Sequence, residues 1–168
     1  MQQAAFVRCQ NSLGITSRGR LTTRSRRLRR RLIQALEPIA MLYGHPINPE
    51  AAFRELVFRW FALLAQGQTA EAMALIDEPN SYGVKWGPEQ LSSALKSYGG
   101  NGVLPLVTSP SSALGQQQAS LIALADRSGY AYDHDLPLNG QWSDLTAQFE
   151  FLKRPNGFAV VLQDIHVL

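Results

Sequence analysis

The sequence predicts an α+β protein in which three N-terminal helices pack on a curved, four-stranded antiparallel meander sheet. In the first half of the chain, apolar residues recur at helical spacing, whereas from residue 119 onward they alternate with polar residues between short turns. The chain has 168 residues, 45% of them hydrophobic, which suits one compact core. We therefore expect a single domain over residues 41–168, preceded by a basic leader over residues 1–40.

The segment NPEAAFRELVFRWFALLAQGQ predicts the first and longest helix. Asn48 suits the N-cap, Pro49 the first helical position and Gly67 the end of the helix. One apolar stripe follows at helical spacing and consists of Phe53, Leu56, Val57, Trp60, Phe61 and Leu64. A stripe with two large aromatic residues predicts core packing, and the alternative is that Trp60 lines a ligand site.

Two shorter helices are predicted next. The segment TAEAMALID offers Thr69 as a cap and Pro79 beyond its end, and GPEQLSSALKSYGG begins with Pro88 and closes with two glycines. Residues 101–117 are rich in Gly, Pro, Ser and Gln and predict a long connection, which either covers the mouth of a pocket or is slack.

Four strand segments complete the chain: ASLIALAD, YAYDHDLPL, DLTAQFEFLK and FAVVLQDIHVL. The turns between them, RSG, NG and RPNG, are short, and NG is a strong hairpin signal because both residues tolerate positive φ. Short turns require neighbouring strands to be antiparallel, so the pattern predicts a meander.

This order of elements over residues 48–168 resembles the nuclear transport factor two-like (ketosteroid isomerase-like) superfamily. The resemblance implies a cone-shaped fold with a pocket, in which isomerases, dehydratases and polyketide cyclases of that superfamily use acids, His and Tyr. The chain departs from it between the second and third helices, where NSYGVKWG is too short for the strand pair of many members. The segment WSDLTAQFEF and the ending DIHVL also look like a bacterial family of small proteins that brings no activity with it.

Charge divides the chain into two unlike parts. Residues 1–36 hold nine of the sixteen basic residues, all Arg, and no acid; the other seven face all thirteen acids, so residues 37–168 carry a net charge of −6. The leader is typical of a transit peptide, a nucleic-acid-binding arm, a basic amphipathic helix or a segment without a folded role, which is either a disordered tail or sequence upstream of a true start at Met41. The acidic body gives no electrostatic reason to bind phosphate backbones.

Several polar and aromatic residues are candidates for a site. Asp164 and His166 lie two apart in the last strand, where parity places them on the face of Phe158 and Leu162; a carboxylate can orient an imidazole as a general base. The catalytic candidates are Asp164, His166 and Tyr132, and the binding candidates are Trp60, Tyr130, His134, Trp142 and Asp144. The alternative is that Asp164 and His166 fix the register at the end of the sheet or form hydrogen bonds with a loop. No metal site is expected, because the His spacing of such sites is absent, and no cofactor motif is present.

Three functions follow from these observations. The first is a small, non-catalytic binding or interaction module, cytoplasmic and homodimeric through its sheet, that takes a small apolar ligand or a protein partner. The second is a lyase or isomerase that acts on a small apolar substrate with the Asp-His pair in its pocket. The third is association with nucleic acid through the leader. The lone Cys9 excludes an intramolecular disulfide, and no apolar run reaches the roughly 20 residues of a membrane-spanning helix.

Overall fold

The structure is a computed structural model that describes residues 46–168, so the leader and Met41 lie outside the described residues. The helices are α1 (Pro49–Ala65), α2 (Thr69–Met73) and α3 (Pro88–Gly99), and a single 3₁₀ turn covers Pro110–Ser112. The strands are β1 (Ala119–Ala123), β2 (Gly129–Leu138), β3 (Gln141–Arg154) and β4 (Gly157–Val167). The predicted α+β class, with helices and a four-stranded antiparallel sheet, is confirmed.

Helix α1 forms as its sequence predicts. The Asn48 side chain caps it by accepting a hydrogen bond from the backbone N–H of Ala51 at 3.2 Å. All six residues of the predicted stripe are buried, so the helix packs along its whole length. The ring of Phe53 stacks on that of Phe151 in β3 with centroids 3.9 Å apart, which fixes α1 against the sheet.

Only two of the three predicted helices are full helices among residues 46–168. Helix α2 has five residues, because the chain after it turns toward the sheet instead of continuing the helix. The N–H of Leu75 donates to Ala72 and that of Ile76 to Met73, in tight turns, and the N–H of Asp77 then donates to the carbonyl of Val160 in β4 at 2.8 Å. The apolar residues Leu75 and Ile76 are thereby buried in a turn.

The predicted meander is confirmed. The strands lie in the order β1-β2-β3-β4, and each pairs antiparallel with the next. The NG turn joins β2 to β3 with φ of 51° at Asn139 and 83° at Gly140, the positive values that this short hairpin connection needs. The long connection before β1 runs along this hairpin, where the N–H of Thr108 donates to the carbonyl of Pro137 and that of Leu114 to Gly140.

A bulge in β4 changes the predicted alternation. Gln148 pairs with Asp164 and Phe149 pairs with Leu162, which leaves Gln163 as an extra residue on β4. After the bulge, Ile165 joins the core together with Leu162. The expectation that Asp164 and His166 share a face with Phe158 and Leu162 is therefore wrong, because one added residue exchanges the two faces.

The sheet has two chemically different faces. The core face packs against α1 and carries the rings of β2, β3 and β4. The outer face carries the alternate residues. One row of polar side chains crosses all four strands through successive pairing partners, which are Ser120, Asp133, Gln148 and Asp164. Alternation along the strands thus separates an aromatic face from a polar one.

The two edges of the sheet also differ. Residues that follow α2 cover the edge of β4: the backbone N–H of Asp77 donates to Val160, and the side chain of Asn80 donates to the carbonyl of Gln163 at 3.0 Å. On β1, four of the five residues are exposed, and no segment among residues 46–168 pairs with its free side.

Candidate functional site

Four of the predicted site residues lie in the packed interior between α1 and the core face. Trp60 is fully buried and meets Phe149 edge-on at 5.4 Å between centroids. Tyr132 is 1% exposed, and Tyr130 is half-buried beside Phe53 at 5.6 Å. Burial raises the pKa of Tyr132 to about 12, an effect that nearby Arg54 opposes. These residues form part of an aromatic core.

His134 is the fourth of these interior residues, and its burial keeps the imidazole neutral. Rings surround it at centroid distances of 5.4 Å for Phe58, 5.5 Å for Phe61, 5.9 Å for Tyr132 and 5.3 Å for Trp142. Its Nδ1 lies 2.8 Å from the carbonyl of Asp135, so Nδ1 carries the proton and donates. Its Nε2 has no hydrogen-bond partner. Desolvation lowers the pKa of His134 below its ordinary value.

The Asp-His pair does form, but on the outer face. The Nδ1 of His166 lies 3.3 Å from a carboxylate oxygen of Asp164, and the two side chains are 38% and 56% exposed. The contact is not an aligned hydrogen bond, since Nδ1 has no hydrogen-bond partner, and it is an ion pair only when the imidazole carries a second proton. Tyr132 lies in the core, on the opposite face, so the structure does not bring the three catalytic candidates together.

A cleft opens on the outer face beside the β2–β3 hairpin. Its volume is about 390 Å³, and parts of β1, β2 and β3 form its walls. The lining residues are Gln116, Gln118, Ala119, Ser120, Asp133, Asp135, Trp142, Ser143, Asp144, Thr146 and Leu168. Two predicted binding residues, Trp142 and Asp144, are among them. His166 pairs with Thr146 across the sheet and so stands next to the cleft.

Hydrogen bonds hold the carboxylates of β2 in the cleft. Asp135 accepts from the backbone N–H of Gln118 at 2.9 Å and from the hydroxyl of the buried Thr146 at 3.2 Å. Partial burial raises the pKa of Asp133, while the Ser120 hydroxyl, the electrostatic interaction with His166 and the Gln148 amide act in the opposite direction. The fold therefore keeps a partly desolvated carboxylate at this wall.

The far wall of the cleft comes from an irregular part of β3. The pairing shifts between Asp135 and Pro137, and the hydroxyl of Ser143 donates to the carbonyl of Leu136 at 2.8 Å. Asp144 accepts a hydrogen bond from the hydroxyl of Tyr98 in α3 at 2.5 Å. That hydrogen bond is the main reason that the pKa of Tyr98 is raised. Helix α3 thus orients the third carboxylate.

The cleft is acidic. Three aspartates line it, and none of its described lining residues is Lys or Arg. Residues 46–168 hold no group of three or more His, Cys, Asp or Glu that could bind a metal ion. The arrangement can accept hydrogen bonds and attract positive charge.

Sequence reasoning missed Asp133, Asp135, Ser120 and Thr146 as lining residues. The signal was present in YAYDHDLPL, where the two aspartates share one parity and the tyrosines and His134 share the other. The structure confirms this separation, with Tyr132 and His134 in the core and both aspartates at the cleft. Placing the aspartates in a cleft requires knowledge of how β1 pairs with β2, and the residue pattern of a single strand does not give that pairing.

The fold and the site define a class: an α+β protein whose packed helices leave the polar face of a four-stranded sheet open around an acidic cleft. The chain belongs to the family described as Domain of unknown function (DUF7668), whose model matches residues 61–168 and so includes the whole sheet and the cleft. No curated protein and no solved structure matches the chain. Within residues 46–168, no helix has the length and apolar character needed to cross a membrane.

Proposed function

We propose that the protein is a non-catalytic binding module that uses the outer face of its sheet. The observation that carries this proposal is the contrast between the two faces. The core face is filled by rings, whereas the outer face holds a cleft of about 390 Å³ whose carboxylates are held by protein hydrogen bonds. Preformed concave sites with a few fixed polar groups are typical of ligand and partner binding.

The nuclear transport factor two-like fold remains part of this proposal. Support comes from the order of elements, a long α1 on the core face of an antiparallel meander, and from the β-bulges, which bend sheets. In that cone the pocket would lie between α1 and the sheet. In this chain Phe58, Phe61, His134 and Trp142 occupy that space, which favours the outer cleft as the binding position.

Native mass spectrometry of the full chain, purified gently from its own host, tests the proposal together with a blocking variant. Ser120→Trp places a large side chain in the cleft, and the matched control Ile122→Trp adds the same group two residues along the same strand, outside the cleft. We expect the wild type and the control to retain a bound species that Ser120→Trp loses. A species that survives Ser120→Trp, or none on the wild type, would contradict the proposal.

A homodimer through the sheet stays a prediction. It competes with binding at the open cleft, because both would use the outer face. Such a dimer would bring the aspartates of two copies together, which like charges disfavour. The same spectra count the copies. A dimer that persists at low protein concentration would favour the sheet interface and leave the cleft inaccessible.

A lyase or isomerase remains the second candidate, and the 3.3 Å contact between Asp164 and His166 is the observation that favours it. His166 stands next to the cleft through its pairing with Thr146, and the pair is not in an enclosed cavity with Tyr132. If it acts as an acid–base pair, His166→Asn should leave a retained small molecule unconverted, and the NMR spectrum of the released molecule should then differ from that of the molecule released from the wild type. Identical spectra would exclude this role.

Nucleic-acid association through the leader concerns residues outside the described part of the chain. It predicts salt-sensitive binding of DNA or RNA that is lost when residues 1–40 are removed. A full chain that binds no polynucleotide at low salt would exclude it.

A further inference from the structure

The free side of β1 and the acidic cleft beside it form one continuous surface. We infer that this surface binds an extended, basic protein segment, which adds to β1 as a fifth strand and directs alternate Lys or Arg side chains to the cleft. The inference rests on the proposed function, because it uses the same cleft, and it adds the form and the charge of the partner.

The backbone of β1 is ready to pair. The N–H of Asp135 donates to the carbonyl of Gln118, and the N–H of Leu124 donates to Gly129, so the even-numbered residues of this segment direct their backbone groups to β2. In an antiparallel pair these directions alternate from one residue to the next. The N–H and C=O groups of Ala119, Leu121 and Ala123 therefore point away from the sheet.

Nothing in β1 prevents such pairing. Edge strands are ordinarily protected by a charge, a proline, a bulge or a covering segment. Strand β1 reads ASLIA, pairs with β2 without a shift, and has Ile122 59% exposed. The opposite edge, on β4, has a bulge and the cover of residues 77–80. Within residues 46–168, the chain covers one edge and leaves the other open.

Charge decides between the partners that could use this edge. Ala119 and Ser120 of β1 line the cleft together with Asp133 and Asp135 of the neighbouring strand. Strands lie about 4.8 Å apart, so an added strand would run about 10 Å from β2, a distance that a long basic side chain can largely cross. A second copy of β1 would bring no basic residue, because ASLIA has none, and would double the number of carboxylates. A basic segment complements the surface, and a second copy does not.

Strand addition supplies affinity through the backbone and selectivity through alternate side chains. On the outer face, every second side chain of the segment would approach Asp133 and Asp135. On the other face, the intervening side chains would extend the apolar surface of Leu121, which packs at the margin of the core. The segment should therefore alternate basic and apolar residues.

The probe is an N-acetylated heptapeptide in which lysine and valine alternate, titrated into the ¹⁵N-labelled full chain at low salt. We expect the amides of Ala119, Leu121 and Ala123 to gain protection from hydrogen exchange when the peptide binds. Ala119→Pro removes one outward N–H without breaking the pairing with β2 and should weaken binding about tenfold, whereas Ala119→Val retains the N–H and should bind like the wild type. Asp133→Asn combined with Asp135→Asn should weaken binding about threefold to tenfold.

Two methylated versions of the peptide keep the test decisive if Ala119→Pro does not fold. One is methylated at the odd-numbered backbone nitrogens and the other at the even-numbered ones. The version whose methyl groups lie on the nitrogens that face β1 should not bind, whereas the version whose methyl groups lie on the nitrogens that face solvent should bind. Equal binding of both versions would overturn the strand addition while leaving a cation-binding cleft and the proposed function intact. Absence of peptide binding would overturn the inference alone. A dimer whose β1 amides are already protected without peptide would assign the edge to a second copy and overturn it as well.

Discussion

At the scale of single residues, His134 shows how position decides chemistry. Its sequence neighbours are two aspartates that face the cleft, yet its own ring faces the core and is completely buried. Sequence reasoning could place His134 on the parity of Tyr132 but could not give the four rings around it, since two of them come from α1 and one from β3. Burial sets the charge of this histidine, and that charge affects stability.

Because its pKa is lowered in the folded protein, His134 should make stability depend on pH. Above the unfolded pKa of about 6.5, His134 is neutral in both states and does not make the free energy of unfolding depend on pH. Below that pKa, the unfolded chain takes up a proton that the folded chain does not. We expect the free energy of unfolding to fall as pH decreases below about 6.5, by at most about 1.4 kcal/mol per pH unit. Urea titrations between pH 5 and 8 measure it. His134→Phe should reduce the slope.

Replacing Asp133 should change stability and binding in opposite directions. Its raised pKa means that the folded protein disfavours the charged carboxylate, so Asp133→Asn removes a cost at neutral pH. We expect a small rise in Tm, up to about 2 °C, together with weaker binding of the lysine–valine peptide. Calorimetry with Glu55→Gln, at an exposed position of α1, as the surface control checks the first part. A variant that is both less stable and fully active in binding would show that the carboxylate is structural.

At the scale of elements, regular patterns were predictable and irregular ones were not. The α1 stripe and the three turns depend on spacing and local turn chemistry, which the sequence states directly. The shortening of α2 and the bulge at Gln163 depend on contacts with residues far along the chain. The carbonyl of Gln163 accepts a hydrogen bond from the side chain of Asn80, and the side-chain amide of Gln163 donates one to Glu150. No local sequence pattern indicates these partners. The outward position of Asp164 and His166 was unpredictable for the same reason, since it follows from the bulge.

The start of β2 gives the sharpest test of the sheet. A Cβ atom built on Gly129 would lie 2.2 Å from the carbonyl oxygen of Phe151 in β3, a backbone atom that cannot move aside. We expect Gly129→Ala to destabilise the fold by about 1–3 kcal/mol or more, the cost of overpacking. Ala131→Gly, two residues along the same strand, is the control and should cost about 1 kcal/mol or less. Equal losses in denaturant titrations would show that β2 and β3 approach less closely at this point.

At the scale of the whole molecule, the unequal edges of the sheet should govern self-association. The carboxylate of Asp77 accepts the N–H of Val160 at 2.8 Å, and the side chain of Asn80 donates to the carbonyl of Gln163 at 3.0 Å. Removing both with Asp77→Ala and Asn80→Ala should release this cover and expose a second edge. We expect concentration-dependent association of the double variant in analytical ultracentrifugation. Glu78→Gln, which breaks only the exposed ion pair with Arg154, is the control and should leave the mass unchanged.

Trp142 stands in the wall between the two faces, with His134 on one side at 5.3 Å and the cleft on the other. An indole in that position is a natural optical reporter. Its emission should shift when an occupant displaces water from the cleft, and a proton on the neighbouring imidazole should quench it. Trp60, which is buried in the core, and Trp86, which lies outside the cleft, would supply the background emission. The emission of Trp142 should therefore report both the occupancy of the cleft and the protonation of the core beside it.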